Sequence, residues 1–401
     1  MVVQEKLPVI VAGAGLVGVL LGQLLKQNGI PFEIYDRDEG LGSRYGGWAI
    51  SLHWIEAELK RALPEDMYER IKAGHVDPES YATGSIPFKY LDLETGEPTV
   101  SFTVPSYLRV SRFLVRSVLA DGLDIQWATA VRSFESVDEG VLVRLSNGKT
   151  TRGSMLIACD GKNSVLKRSI IDPEQLDFTD LPIELVGCKV RLDPPSAKKL
   201  LAVNPIMWQG AHPRTRSFFF FSLNSTPRTN GTAETSEEYY EAQFNYSWIA
   251  IQGEEQPSTS AVRLRRLKEV GSTFFPPLRE AIEAIRDDVQ LLDIKIQDWL
   301  PVEWDNQGGR VTILGDAAHA MTMYRGEGVN HGMYDAIKLV EQLRLWEEGA
   351  KSLAEAVAAY EGEMRPRARE GVLLSRQACL DAHYVERVHL GHRLFGYRDQ
   401  L

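Results

Sequence analysis

The chain has 401 residues, 44% hydrophobic and 25% charged, with a formal net charge of −10. That size and balance predict a soluble globular protein with a large core, folded as one composite domain or two closely packed ones. The acidic balance and the lack of any long lysine/arginine block exclude a broad nucleic-acid surface. No run reaches the roughly 20 apolar residues of a membrane span. Three scattered cysteines, Cys159, Cys188 and Cys379, have neither disulfide-framework nor metal-ligand spacing and read as small core residues. The expectation is a cytoplasmic protein, monomeric or homodimeric, without a metal centre.

Leu7 to Ala12 is too short for a signal peptide's apolar region plus cleavage site, and a glycine loop follows at once, so it reads as a buried strand. The unit Pro8 to Asp36 is a β-α-β signal: apolar Val9 to Val11, Gly13-Ala14-Gly15-Leu16-Val17-Gly18, a helical Val19 to Gln27, Gly29 as a stop, and a strand Phe32 to Tyr35 ending in Asp36. Gly13 permits the tight turn, Gly15 lets backbone approach a pyrophosphate, Gly18 allows close helix–strand packing, and Asp36 is placed for ribose hydroxyls. A lone Gly-x-Gly-x-x-Gly is weak. Strand, helix and acid at these distances make it a dinucleotide site.

Past the acid, Arg37, Arg44 and Gly46-Gly47 occupy a polar loop leading to a short strand, Trp48 to Trp54. Arg44 is a candidate to neutralise a pyrophosphate bidentately, the alternative being a solvated surface arginine. Arg109 and Arg112 precede a helix over Phe113 to Ala120, and Arg112 is the one expected to face the cofactor. Strand-like Ile125 to Ala130, Val141 to Leu145 and Met155 to Ala158 follow, with an Asn147-Gly148 turn and a closing Cys159-Asp160-Gly161.

From about Leu181 to Ile294 the pattern becomes β-rich: Val186 to Leu192, Met207 to Gln209, Ser217 to Leu223 and Phe244 to Gln252, with a helical Ala261 to Glu269. Four consecutive phenylalanines, Phe218 to Phe221, must alternate faces in a strand, one pair on the core and the other against core or cavity. Asn224 to Glu237 reads as a mobile loop. Near the end, an apolar strand stops at Leu314, Asp316 follows, and a turn at Gly326 and Gly328 opens an amphipathic helix carrying Val329, Met333, Ile337, Val340 and Leu343. Free N–H groups and the positive end of the helix dipole favour an anion there, such as a reduced flavin, with Asp316 placed for sugar-like hydroxyls. Leu353 to Tyr360 and Arg365 to His383 read as two further helices.

The order of these signals, glycine loop, then Asp160-Gly161, then Gly315-Asp316, resembles the class A flavoprotein monooxygenases, the group of para-hydroxybenzoate hydroxylase, over nearly the whole chain. The wording Arg-Gly-Glu-Gly-x-Asn-His-Gly is most similar to fungal biosynthetic members. The resemblance implies an α/β fold: a Rossmann-like FAD-binding domain (1–180 and 296–350), an inserted mixed β-sheet substrate domain (181–295 with part of 76–108) and C-terminal helices (351–401). It implies noncovalent FAD, reduction by NADPH or NADH, and a C4a-hydroperoxyflavin passing one oxygen of O2 to a small organic substrate. Carried over by motif, Gly13, Gly15, Gly18, Asp36, Arg37, Arg44, Arg112, Asp160 and Asp316 would hold FAD, while Gly326, Gly328, Val329 and Asn330 would flank the isoalloxazine. Two positions depart from the family pattern. Met323 stands where a proline is usual, which frees an N–H and loosens the turn, and Lys167 stands for an arginine, which loses a bidentate fork.

Such chemistry asks for positioning and exclusion of water more than for acid–base work. Candidate pocket residues are His53 and Trp54, Trp208, Phe219 and Phe221, Met323, and Tyr324 beside the flavin turn. Tyr324 and His53 are the candidate catalytic groups, His53 for a phenolic or indolic proton, although a histidine capping a buried strand is the plainer reading. His319 and His331 read as supports of the late turn and helix start. The leading expectation is a monooxygenase hydroxylating or epoxidising a medium-sized aromatic or polycyclic secondary metabolite. A flavin-dependent halogenase or reductase is the alternative on the same frame, the halogenase disfavoured because the sequence has no Trp-x-Trp-x-Ile-Pro motif, the closest string being Tyr246-Ser247-Trp248-Ile249-Ala250. A non-redox cyclase or ligand-binding protein is the alternative from another class.

Overall fold

A computed structural model describes residues 6–44, 47–251, 253, 257–392 and 394. Its architecture is α/β, with a Rossmann-like parallel sheet and a larger mixed sheet inserted into it. The parallel sheet runs in the order Val311–Ile313, Met155–Ala158, Val9–Ala12, Phe32–Tyr35, Ile125–Gln126. Its central strands are apolar without alternation because both faces are covered. Helix Leu16–Gln27 packs against both Arg112–Ala120 and Gly328–Glu347 beside it, and the antiparallel sheet of Val131–Val137, Gly140–Leu145 and Thr150–Gly153 shares its core through Val141 and Val143. Gly148, at φ 81°, makes the expected turn within that antiparallel sheet.

The mixed sheet has seven strands, in the order Leu292–Asp293, Ile183–Leu192, Tyr240–Ile249, Ser217–Ser225, Met207–Ala211, Ser85–Asp92, Pro98–Pro105. Its register decides which side chains share a face. Gln209, Phe220, Asn245 and Gly187 form one row, and Met207, Ser222, Gln243 and Lys189 the next. The opposite face carries Trp208, Phe219, Phe221 and Phe244, buried under helices Ser260–Gly271 and Pro276–Glu283 through Leu264, Leu267, Leu278 and Ile282. One face is therefore a hydrophobic core, and the other, with its amides, is turned toward the parallel sheet.

Two expectations about the connections are corrected. The Asn224–Glu237 segment contains a helical turn, Pro227–Asn230, closed by a Thr226/Thr229 capping box and by Gly231 at φ 78°. The two C-terminal helices are one, Leu353–Asp381, which continues through Pro366. A proline there removes one backbone donor. The buried stripe Val357, Tyr360, Met364, Ala368, Val372, Ser375 and Cys379 runs past it at helical spacing, so tertiary packing outweighs the break. Among the described residues, no helix is long and apolar enough to cross a membrane.

Candidate active site

The two sheets enclose one cavity of ≈ 720 Å³, which runs from the N-terminal glycine loop to the amide-bearing face of the mixed sheet. At its near end two helices begin without a side-chain cap, Leu16–Gln27 after Gly15 and Gly328–Glu347 after Glu327. Their first-turn N–H groups have no intrahelical partner and suit an anion. Gly13 sits at φ 106°, where a Cβ would lie 2.6 Å from the Cys159 carbonyl oxygen. Gly15 has nothing within 4 Å of a built Cβ, so bare backbone forms the cavity wall there.

Asp36 closes the second strand. Its carboxylate accepts the Ala14 N–H at 2.6 Å and the Asp38 N–H at 2.8 Å. Arg116 clamps the same corner: Nε donates to the Ala14 carbonyl at 2.7 Å, Nη2 donates to Asp38 at 3.2 Å, and the guanidinium lies over Trp127. Arg116 belongs to no motif in the sequence. Its signal was its place on the buried stripe of its helix, beside Val115 and Leu119. Across the cavity, Asp160 accepts the Val165 N–H through Oδ2, while Oδ1 is buried without a partner among the described residues, and burial raises the carboxyl's pKa.

Beneath the late turn lies a buried ionic frame. Asp335 accepts the Gly315 N–H at 2.9 Å and contacts His319 Nε2 at 2.6 Å and Arg367 Nη2 at 2.7 Å. Burial opposes its charge, but His319 and Arg367 outweigh burial and hold its pKa at about 2. Glu327 is treated alike, with His331 and Arg325 overriding burial and holding it at about 2. The helix start expected to seek an anion thus already carries one carboxylate, paired to Arg325.

Among the residues expected at a cofactor, Gly13, Gly15, Asp36, Arg37, Arg112, Asp160, Asp316, Gly326, Gly328 and Val329 line the cavity. Gly18 does not. It packs beneath the loop, where a Cβ would stand 1.9 Å from the Gly13 oxygen. Asn330 is fully buried and acts as a staple: Nδ2 donates to the Ser51 and Gly326 carbonyls, and Oδ1 accepts the His53 N–H. The Arg44 side chain and Gly46 lie outside the described residues.

Among the expected pocket residues, His53, Met323 and Tyr324 line the cavity. Trp208, Phe219 and Phe221 do not, because they lie on the core face of the mixed sheet; their neighbours Met207, Gln209, Phe218 and Phe220 take the cavity side. This is a one-residue change of parity, which exchanges the faces of a strand. Trp54 is also displaced, packing edge-on against His331 and Tyr334 beside the parallel sheet. Burial lowers the His53 pKa to about 4, so its imidazole is neutral at neutral pH. Tyr324 donates to Ser247 Oγ at 2.8 Å, and Ser247 lies 2.9 Å from His383 Nε2. His383 Nδ1 faces the Cys379 carbonyl at 3.1 Å and must carry the proton, so Ser247 donates to Nε2. Burial raises the Tyr324 pKa well above its ordinary value.

Both departures from the family pattern have a physical account. Met323 begins a 3-10 turn after an extended Thr322, and its sulfur accepts the Asn245 amide at 3.6 Å across the cavity. Lys167 is sandwiched between Phe178 and Trp299, donates to the Lys162 carbonyl and has its pKa lowered to about 8 by burial. It fastens the loop after Asp160 and does not line the cavity.

The uncapped helix starts, the bare Gly15 wall and the orphaned Asp160 oxygen fit a dinucleotide. A family described as an FAD binding domain matches residues 6–175 and 283–374. The chain belongs to the class A FAD-dependent monooxygenases. The enzyme is 40% identical over 338 residues to the FAD-dependent monooxygenase dbaB of Emericella nidulans, covering 83% of this chain and 86% of that protein. It is 31% identical to the FAD-dependent monooxygenase tazP of Aspergillus terreus, covering 84% and 89%. HpxO of Klebsiella pneumoniae, solved with FAD and uric acid, shares the fold with a TM-score of 0.73 at 22% identity, over 94% of this chain and 89% of that one.

Proposed function

We propose that this FAD-dependent monooxygenase uses NADPH or NADH to hydroxylate or epoxidise a medium-sized aromatic or polycyclic secondary metabolite. The observation that carries this reading is the single cavity joining a dinucleotide cradle to an aromatic and amide sheet face, with the Met323–Gly328 turn between them. Residues 1–180 and 296–350 would hold FAD, 181–295 with part of 76–108 would cover the substrate, and 351–401 would close the C-terminal side. When bound, FAD supplies the activation of O2 for transfer of one oxygen atom.

The chain's own part is binding, orientation and exclusion of water. Gly13, Gly15 and the first turn of the following helix would hold the pyrophosphate, Asp36 the ribose, and Asp160 and Asp316 the polar linker. Gly326, Gly328 and Val329 would meet the ring system, with Asn330 and Asp335 fixing that turn from behind. Phe218 and Phe220 would pack against an aromatic substrate. Tyr324 lines the cavity with its hydroxyl held by Ser247, so its ring would help to position the substrate. The test is turnover with NADPH and O2 labelled with oxygen-18 on a panel of polyhydroxylated naphthalenes. One labelled oxygen in the product supports the reading; reductant consumed with only hydrogen peroxide formed across the panel counts against it.

A further inference from the structure

The mixed-sheet end of the cavity carries a cation, Arg109, without a counter-ion among the described residues. Arg109 is 5% exposed and lines the cavity. Its Nε donates to Ser222 Oγ at 3.1 Å and its Nη1 to Ser51 Oγ at 3.0 Å. Both partners are neutral hydroxyls, and Nη2 has no partner among the described residues. No carboxylate of the described residues forms an ion pair with it; the arginines elsewhere in the interior, Arg116 and Arg367, each have one. Burial lowers the Arg109 pKa to about 10, which leaves the guanidinium charged at neutral pH. A desolvated, unpaired charge is unfavourable unless something neutralises it.

The surroundings of Arg109 are unsatisfied in the same way. Gln209 and Gln243, 5% and 3% exposed, face the cavity, Gln209 beside Phe220 in its own row and Gln243 in the next, and neither amide has a hydrogen-bond partner among the described residues. The buried Asn245 Oδ1 is also without a partner among the described residues. Ser222, which holds Arg109, is the register neighbour of Gln243. The Arg109 guanidinium lies 5.9 Å from the Phe220 ring centroid, so cation, amides and aromatic ring form one patch. A purely apolar ligand would leave every one of these groups unpaired, at a cost in affinity.

We infer that Arg109, with the Gln209 and Gln243 amides, is an anion-reading subsite selecting an aromatic substrate with an ionised ring oxygen or carboxylate. The inference rests on the proposed reading in that it takes the bound aromatic to be the substrate. Arg109 is a specificity residue here, with the planar ring against Phe220 and the charged oxygen on Nη2.

The test is equilibrium binding to the FAD-loaded, oxidised enzyme, read from the flavin absorbance change, with 2-naphthoate, 2-naphthol and neutral naphthalene-2-carboxamide as probes. Wild type should prefer 2-naphthoate to the carboxamide if carboxylates are read. If phenolates are read, 2-naphthol should tighten as pH rises through its own ionisation. Arg109→Met should weaken the favoured anion by roughly tenfold to a hundredfold while leaving the carboxamide nearly unchanged. Gln243→Glu, which would pair Arg109 internally, should abolish the preference for the anion with FAD retained. Equal weakening of charged and neutral probes, or no preference in wild type, would overturn the inference. Loss of FAD from Arg109→Met would also overturn it, by assigning Arg109 to the cofactor. Anion selectivity in a protein that transfers no oxygen would sustain the subsite and sink the oxygenase reading instead.

Discussion

Replacing Asn330 with alanine should destabilise the enzyme far more than its volume suggests. The side chain is fully buried and makes three hydrogen bonds to backbone: to the Ser51 carbonyl at 2.9 Å, to the Gly326 carbonyl at 3.1 Å, and from the His53 N–H at 3.0 Å. Each such bond contributes about 1 kcal/mol net, and a buried group left unsatisfied costs more than that. Truncation strands two acceptors and a donor at once, so the expected loss is about 3 kcal/mol. Asn330→Asp sharpens the test. The isosteric carboxylate keeps the His53 contact but sets an anion against two carbonyl oxygens, so it should be at least as damaging as alanine. The assay is urea unfolding of FAD-saturated wild type and variants, comparing midpoints at a common slope. A loss below about 1 kcal/mol for both variants would refute the staple.

Gly18→Ala should give protein purified without FAD, because its Cβ would sit 1.9 Å from the Gly13 oxygen; flavin content after reconstitution checks this. Met323→Pro should leave stability within about 1 kcal/mol of wild type by thermal melting, since Thr322 is already extended and Met323 opens the turn, where proline is tolerated. His383 is fully buried and burial lowers its pKa from 6.5 to about 4. The unfolded chain therefore takes up the proton first. The stabilisation is complete above pH 6.5 and is lost as pH falls toward 4, amounting to about 2 kcal/mol between pH 7 and 4.5. His383→Gln should flatten the stability–pH curve over that window; an unchanged curve would refute the assignment.

The glycine-loop end of the cavity was legible because its logic is local. Glycine spacing, helix start and the acid at position 36 are all set within one β-α-β unit, and the later motifs follow strands whose apolar runs stand out. The mixed-sheet end was not legible in the same way. Four consecutive phenylalanines show that a strand alternates, but with apolar residues on both faces they leave its parity open, and Phe219 and Phe221 were placed on the cavity side that belongs to Phe218 and Phe220. The polar residues held the answer: Gln209, Gln243 and Asn245 sit in otherwise apolar strands and mark the face that is not core. Pro366 misled for the opposite reason. A local breaker was read correctly as chemistry but is outweighed by a stripe that packs along its whole length. Arg116 and the Asp335 frame needed contacts between distant segments, which no periodicity reports.

The most direct test of the central claim is the absorbance spectrum of the FAD-loaded protein mixed anaerobically with NADPH, or with NADH, and then exposed to air. The account predicts that the yellow oxidised band bleaches with at least one of the two and returns when oxygen is admitted, faster when a bound aromatic is present. A protein that cannot be reconstituted with FAD, or whose bound flavin neither nucleotide can bleach with or without aromatic ligands, would contradict it.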